Sequence, residues 1–297
     1  MGKEDLEQHK VEELLLEYHG HFTYRDICDD LKIITAEGKA SLRTIMKRIL
    51  DRKDGLMVAR DSKKQGSFRV VEDKADEIDW QGATVEPLKV RLPFGLGDIV
   101  YIFPKSIIVV AGDFNAGKTA FLYNVVIMNM ERFLVDLYDS EMGRYNIQRR
   151  FAKFPEPIPN PAPFRTFSRD RDFADVIDPD RMSVIDYLAV DEESPYMVGR
   201  DLKHIVNKLK EGVAVIGMQK PKGRDLAFGK DGTAQKAMLY ISLHATGTDR
   251  GRLKIIKAKD YPNPNVNPNN KQWTFTIKNG VTFTDIKEYY PPDGYDF

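Results

Sequence analysis

One stretch constrains this chain more than any other: residues 109–126, "VVAGDFNAGKTAFLYNVV". It opens with small β-branched residues and closes with helix-compatible ones. Between them Gly112-Asp113-Phe114-Asn115-Ala116-Gly117-Lys118-Thr119 fit the pattern G-x-x-x-x-G-K-[ST]. With glycine at roughly 7% of residues, this pattern arises by chance in about one chain in a hundred of this length. Context narrows it further, because "KSIIVVAG" reads as a buried strand entering the loop and "KTAFLYNVVIMNM" as an apolar helix leaving it. In such a loop glycines let backbone N–H groups wrap phosphates, a lysine reaches the β- and γ-phosphates, and a hydroxyl holds Mg²⁺. The reading is a nucleotide site with Mg²⁺, though the loop alone does not say which nucleoside triphosphate. Gly112, Asp113, Asn115, Ala116, Gly117, Lys118, Thr119 and Ala120 form its cradle, and Thr119 also serves the metal.

At 297 residues the chain has room for one large domain and a small one. Its 45 Lys/Arg balance 45 Asp/Glu, so affinity for nucleic acid has to come from local charge asymmetry. The single cysteine, Cys28, excludes an internal disulfide and suits a reducing compartment, as a core filler rather than a nucleophile. The start "MGKEDLEQHK" is charged, unlike a signal peptide, and no apolar run approaches the ~20 residues of a membrane span. The expected setting is cytoplasmic, without membrane contact.

Residues 1–72 read as a small domain. Val11, Leu14, Leu15 and Tyr18 recur at helical spacing before Gly20, and Thr23 starts a helix with Ile27 and Leu31 on one face, ending near Ile34. A third helix carries Leu42, Ile45, Met46, Ile49 and Leu50 and ends at Gly55. Two β-rich runs then flank Lys63-Lys64-Gln65-Gly66, a hairpin signal. Three helices and a hairpin resemble a winged helix-turn-helix. From Lys39 to Arg69 there are 10 Lys/Arg against 3 Asp. Lys39, Ser41, Arg43, Thr44 and Lys47 lie on the outer face of the third helix, where a recognition helix meets DNA, and Lys63 and Lys64 sit at the wing tip. The same domain type also docks proteins, with such charges only solvating its surface, so DNA and protein contact both stand.

Residues 73–98 read as a linker, acidic in "VEDKADEIDW" and rich in loop punctuation in "QGATVEPLKVRLPFGLGD". From Ile99 to residue 288 buried strands alternate with helices, the pattern of an α/β sheet. The strand in "RFLVDLYDSEM" brings Asp139 and Glu141 to its C-terminal end, where such sheets place ligand chemistry. A carboxylate there can deprotonate a water attacking a γ-phosphate. Equally, acids at that point can be a helix N-cap cluster.

These motifs in order resemble the RecA-like ATPases, and especially the replicative helicases of the DnaB type. The resemblance runs over about residues 90–285 through five motifs. It implies that Asp139-Ser140-Glu141-Met142-Gly143 holds the catalytic carboxylate, Glu141, and that Asp186 in "MSVIDYLAV" supports Mg²⁺ through water. It further implies that Gln219, closing "VAVIGMQ", senses the γ-phosphate and that "KPKGRDLAFGKDG" grips a DNA strand with Lys220, Lys222, Arg224 and Lys230. Without Gln219 that loop reads as a solvated connector. Lys257 and Lys259 match a late Lys-x-Arg pair that reaches a neighbouring subunit's nucleotide. The second is Lys, which lacks arginine's planar fork, so Arg250 and Arg252 are substitutes; edge-strand charge is the plain alternative. The helical collar of those helicases is replaced by the N-terminal domain, and the stretch between Glu141 and Asp186 is short for the usual helices.

The expected architecture is therefore α/β, a RecA-like P-loop ATPase core with a small N-terminal winged helix-turn-helix domain. The expected activity is DNA-dependent ATP hydrolysis coupled to DNA translocation, unwinding or remodelling by a self-assembled ring or filament. An ATP-switched regulator on DNA is the alternative, and a P-loop phosphotransferase is a third. Residues 289–297, "YYPPDGYDF" after Glu288, read either as an acidic-aromatic tail for a protein partner or as a frayed end.

Overall fold

The computed structural model describes residues 7–18, 21–52, 56, 58–61, 66–71, 78–82, 86–189 and 198–291. Contacts divide the chain into two units, residues 1–83 and residues 84–297.

In the first unit, helical periodicity becomes α1 (Gln8–Glu17), α2 (Tyr24–Asp30) and α3 (Ala36–Leu50). Thr23 and Asp26 form a reciprocal capping box that starts α2, and Thr35 Oγ1 accepts the Gly38 N–H at 3.1 Å to start α3. Leu42, Ile45, Met46 and Ile49 turn inward onto Val11, Leu15 and Ile27, each such burial stabilising by about 1.5–3 kcal/mol. Cys28 packs half-buried against the same core. Three short strands, β1 (His21–Thr23), β2 (Val58–Arg60) and β3 (Ser67–Val70), pair antiparallel in the order β1-β3-β2, with Phe22 opposite Phe68. β1 was not foreseen. Lys39, Ser41, Arg43, Thr44 and Lys47 are all exposed on α3. Lys63 and Lys64 lie outside the described residues.

The second unit begins earlier than expected. Leu88, Val90, Leu92 and Leu96 pack into the core, the last after a 3-10 turn (Pro93–Gly95) at the head of α4 (Leu96–Ile99). Buried Asn129 fastens this segment, accepting the Arg91 N–H at 2.9 Å and donating to Arg91 O at 2.7 Å. Residues 88–98 are thus core and not linker, because alternate apolar side chains find a wall to cover.

A nine-stranded sheet follows, built on β4 (Ser106–Gly112), whose seven residues are all buried. In chain order come α5 (Lys118–Asn129), β5 (Val135–Asp139), α6 (Arg144–Phe151), β6 (Phe164–Ser168), α7 (Phe173–Val176), β7 (Met182–Leu188), α8 (Val198–Lys208), β8 (Val213–Gln219), α9 (Asp231–Ala234), β9 (Leu239–Gly247), β10 (Arg250–Ala258), β11 (Gln272–Lys278) and β12 (Thr282–Glu288). The strand order is β12-β11-β10-β9-β4-β8-β7-β5-β6; the six strands from β9 to β6 are parallel and β10–β12 add an antiparallel meander. Burial on both faces makes β4 an unbroken apolar run. Ile108 and Val110 meet the core beneath α5, whereas Ile107, Val109 and Ala111 meet Phe173, Leu202 and Ile205 on the other side. The chain leaves β4 over β8 and β7 to reach β5, then returns to β9 on β4's far side. The C-terminal end of β4 is therefore the switch point where ligands settle in open α/β sheets. Between Glu141 and Asp186 the chain does fit two short helices and a strand, more than the short interval suggested.

Candidate functional site

β4 ends at Gly112, in register with Gln219 of β8 and Leu243 of β9. The loop beyond turns through left-handed backbone at Asn115 (φ 60°) and Gly117 (φ 89°). A Cβ on Gly117 would lie 2.4 Å from Ile277 Cδ1, so only glycine fits that turn undisturbed. The first bond of α5 runs from the Phe121 N–H to Gly117 O at 2.9 Å. The amides of Lys118, Thr119 and Ala120 are left facing out of the helix end, a site for phosphate. Three cradle residues shape the loop instead of facing into it. Gly112 O accepts the Lys220 N–H, the Asp113 N–H donates to Leu243 O, and buried Ala116 donates its N–H to Asp113 O.

The β5 and β7 ends bring Asp139 and Asp186 into register. Asp139 is fully engaged: its Oδ2 accepts from Tyr123 OH at 2.8 Å and its Oδ1 from the Glu141 and Met142 N–H groups at 2.9 and 2.6 Å. Burial, with Asp139 alongside, drives the Tyr123 phenol far up, so it remains a donor. This leaves Glu141 exposed with no capping duty, since the N-cap of α6 is Gly143 and no side chain caps it. The N-cap explanation of the acids thus fits neither: Asp139 braces the turn ahead of α6, and Glu141 caps nothing.

Asp186 is 2% exposed. Burial pushes its carboxyl up to about 6; Lys118 and a hydrogen bond from Thr119 pull it down, and Asp139 and Glu141 push it up again. Its Oδ1 is buried with no hydrogen-bond partner. An orphaned carboxylate oxygen beside the Thr119 hydroxyl is a donor set that fits a hard divalent cation. Among the described residues no three His, Cys, Asp or Glu side chains cluster tightly enough to hold a metal unaided, so Mg²⁺ here would lean on the nucleotide. Ser140 clamps the neighbouring Asp186–Tyr187 peptide, which is cis, through its N–H to Asp186 O at 2.9 Å and its Oγ to the Tyr187 N–H at 3.2 Å.

Lys118 Nζ donates to Gln219 Oε1 at 3.3 Å and lies 4.9 Å from the centre of the Tyr187 ring. Gln219 Nε2 is buried and unpartnered. The residue expected to sense a phosphate therefore touches the lysine expected to bind it. Tyr187 was not singled out in the sequence; its position immediately after Asp186 was the available signal.

Two expectations are corrected. Lys220 does not face a strand: it is 2% exposed and its Nζ donates to Asp113 Oδ1 at 2.5 Å, because burial forces an ammonium to find acceptors. Lys257 is held within its own chain, donating to Ala234 O at 2.6 Å and Gln235 O at 3.1 Å, so it is not extended toward a neighbour. Lys222, Arg224, Lys230, Lys259 and Arg250 are exposed. Arg252 is half-buried with its guanidinium 5.4 Å from the Tyr289 ring, and Tyr289 donates its N–H to Gln272 O, so residue 289 continues the sheet. Residues 292–297 of the expected tail lie outside the described residues. Among the described residues no helix is long and apolar enough to cross a membrane.

No protein-family model matches the chain, and no curated protein matches it in sequence. Among solved structures it is similar to a KaiC-like protein from the hyperthermophilic archaeon Pyrococcus horikoshii OT3, with a TM-score of 0.53 and 16% identity, over 69% of this chain and 100% of that one. At that identity the likeness is one of fold: the α/β core carrying the loop at Gly112–Thr119 shares its fold with that KaiC-like protein.

Proposed function

We propose that this chain is an ATP hydrolase that works on DNA. The observation carrying the ATPase reading is the junction of three strand ends. There the open amides of α5, Lys118, Thr119 and the orphaned Asp186 Oδ1 converge, with Glu141 exposed beside them. The amides from Gly117 to Ala120, with Asn115 at the turn, hold the phosphates, and Lys118 reaches the β- and γ-oxygens. Thr119 and Asp186 would hold Mg²⁺, which when bound supplies positive charge to the phosphate oxygens. Glu141 takes the proton of the attacking water, and Gln219 exchanges its bond with Lys118 for one to the γ-phosphate.

The DNA part of the proposal has separate support. The helix order, the β1-β3-β2 pairing and the exposed Lys39, Ser41, Arg43, Thr44 and Lys47 of α3 suit a winged helix on a duplex. Exposed Lys222, Arg224 and Lys230 follow directly on Gln219 and suit a strand backbone. We read the assembly as a ring or filament of copies of this chain, acting as a motor. An ATP-switched assembly on DNA, without translocation, is the second reading. It draws on Lys257, whose tie to its own chain leaves Lys259 or Arg250 to complete a neighbour's site.

Steady-state hydrolysis with and without single- and double-stranded DNA tests the proposal. DNA should raise the rate, and Glu141→Gln should lower kcat by about 10²–10⁴-fold with ATP still bound. A rate indifferent to DNA would remove the DNA reading. Strand displacement by the stimulated enzyme separates the motor from the switch.

A further inference from the structure

Lys220 is a buried ammonium with no place in the chemistry just described. Its three N–H groups meet three acceptors: Asp113 Oδ1 at 2.5 Å, Arg224 O at 2.6 Å and His244 Nδ1 at 3.2 Å. An ammonium can only donate, so His244 Nδ1 is the acceptor and its proton sits on Nε2. Nε2 lies 2.9 Å from Asp225 Oδ1, and Lys254 Nζ donates to the other Asp225 oxygen at 3.0 Å. Charges and donors thus alternate from the phosphate loop (Asp113) through the end of β8 (Lys220) and β9 (His244) to the following loop (Asp225) and β10 (Lys254). The backbone repeats the link: the Lys220 N–H donates to Gly112 O at 3.2 Å, and Gln219 O accepts the Phe228 N–H at 3.2 Å.

An apolar pair would fill this space with less desolvation, so packing alone does not account for a charge here. Burial outweighs the pull of Asp113 and leaves the Lys220 ammonium easier to deprotonate than usual. What the charge does provide is direction. Asp113 opens the phosphate loop, its carboxylate is 107 residues from Lys220 in sequence, and the same ammonium grips the carbonyl of Arg224.

We propose that Lys220 is a positioning residue for nucleotide: its ammonium fixes the entry turn of the phosphate loop through Asp113 and locks that turn to residues 221–228. The inference rests on the nucleotide-binding reading above and does not require DNA. With Lys220 gone, the buried Asp113 carboxylate loses its counter-charge and keeps only the Ala245 N–H, at 3.4 Å from Oδ2, so it turns toward water and drags the loop whose amides hold the phosphates. Binding in ground and transition states is lost together, so KM rises while kcat holds.

The test compares the full chain as wild type, Lys220→Met, and Lys220→Met with Asp113→Asn. The readouts are equilibrium binding of a fluorescent ATP analogue, steady-state hydrolysis and thermal unfolding. Lys220→Met should raise Kd and KM by about tenfold or more with kcat within about threefold, and the double variant should recover most of that affinity. A melting temperature that falls while Kd and KM of the folded protein stay at wild-type values would mean a purely structural lysine and overturn the inference. If Lys220→Met does not fold, Asp113→Asn with Lys220 intact replaces it, and unchanged nucleotide affinity there overturns the inference equally. Wild type that binds no nucleotide would sink the nucleotide reading itself, and this inference with it.

Discussion

Asp186→Asn should make the nucleotide-free protein more stable while impairing hydrolysis. The carboxyl rises from 3.8 to about 6 on folding, mainly through burial. Each unit corresponds to about 1.4 kcal/mol, so the ionised carboxylate destabilises the native state by about 3 kcal/mol at neutral pH. Between pH 4 and 6 the native state keeps a proton that the unfolded chain has released. Stability from this group therefore falls as pH rises through that window and is flat above it. Asparagine keeps the shape and removes the charge. In chelator, at about pH 7.5, the variant should melt roughly 5–10 °C above wild type, and the gap should close toward pH 4. Calorimetry across pH 4–8 measures both ends. A variant that melts at or below wild type at pH 7.5, or whose advantage persists at pH 4, would refute the reasoning. ATP with Mg²⁺ should reverse the order, because only the carboxylate gains from the cation.

Two further outcomes follow from the packing around the site. Asn129→Leu strands the Arg91 N–H and carbonyl and frees Val125 O, destabilising by about 3 kcal/mol and opening residues 84–98 to limited proteolysis before the sheet melts. Gly117→Ala forces left-handed backbone on a Cβ and displaces Ile277, so it should lose about 1–2 kcal/mol of stability and at least about tenfold in ATP affinity, read by unfolding and titration.

The elements carrying the chemistry were legible in the sequence because each combines a buried strand with a polar residue at its end. β4, β7 and β8 are unbroken apolar runs closed by Gly112, by Asp186 before Tyr187 and Leu188, and by Gln219. β6 was missed because its residues are largely exposed at the sheet edge, so "FRTFS" has neither period nor apolar weight. The turn between β11 and β12 does carry a signal in the sequence, Asn279-Gly280, both of which adopt positive φ. The linker reading failed at Pro93, Gly95 and Gly97, whose loop-forming character masked the alternation of Leu88, Val90 and Leu92. Lys220 was misread for a deeper reason. A cation in a glycine-rich loop looks solvated until its acceptor is known, and Asp113 becomes its neighbour only when β4 and β8 pair.

The phosphate loop is walled by the last strands of the chain. Ile277 and Phe283 stand against Gly117, Phe283 packs with Phe94, Phe121 and Phe275, and Asn124 of α5 donates to Val281 O at 2.7 Å. During synthesis, then, the motif at residues 112–119 emerges long before its wall exists, and α5 waits with an uncovered flank for about 160 further residues, roughly ten seconds at ribosomal speeds. A nascent chain carries the signature of a nucleotide site well before it has the site. If the proposed nucleotide site is right, capture of nucleotide would report that translation has passed Phe283, and chains released short of that point would be left without it.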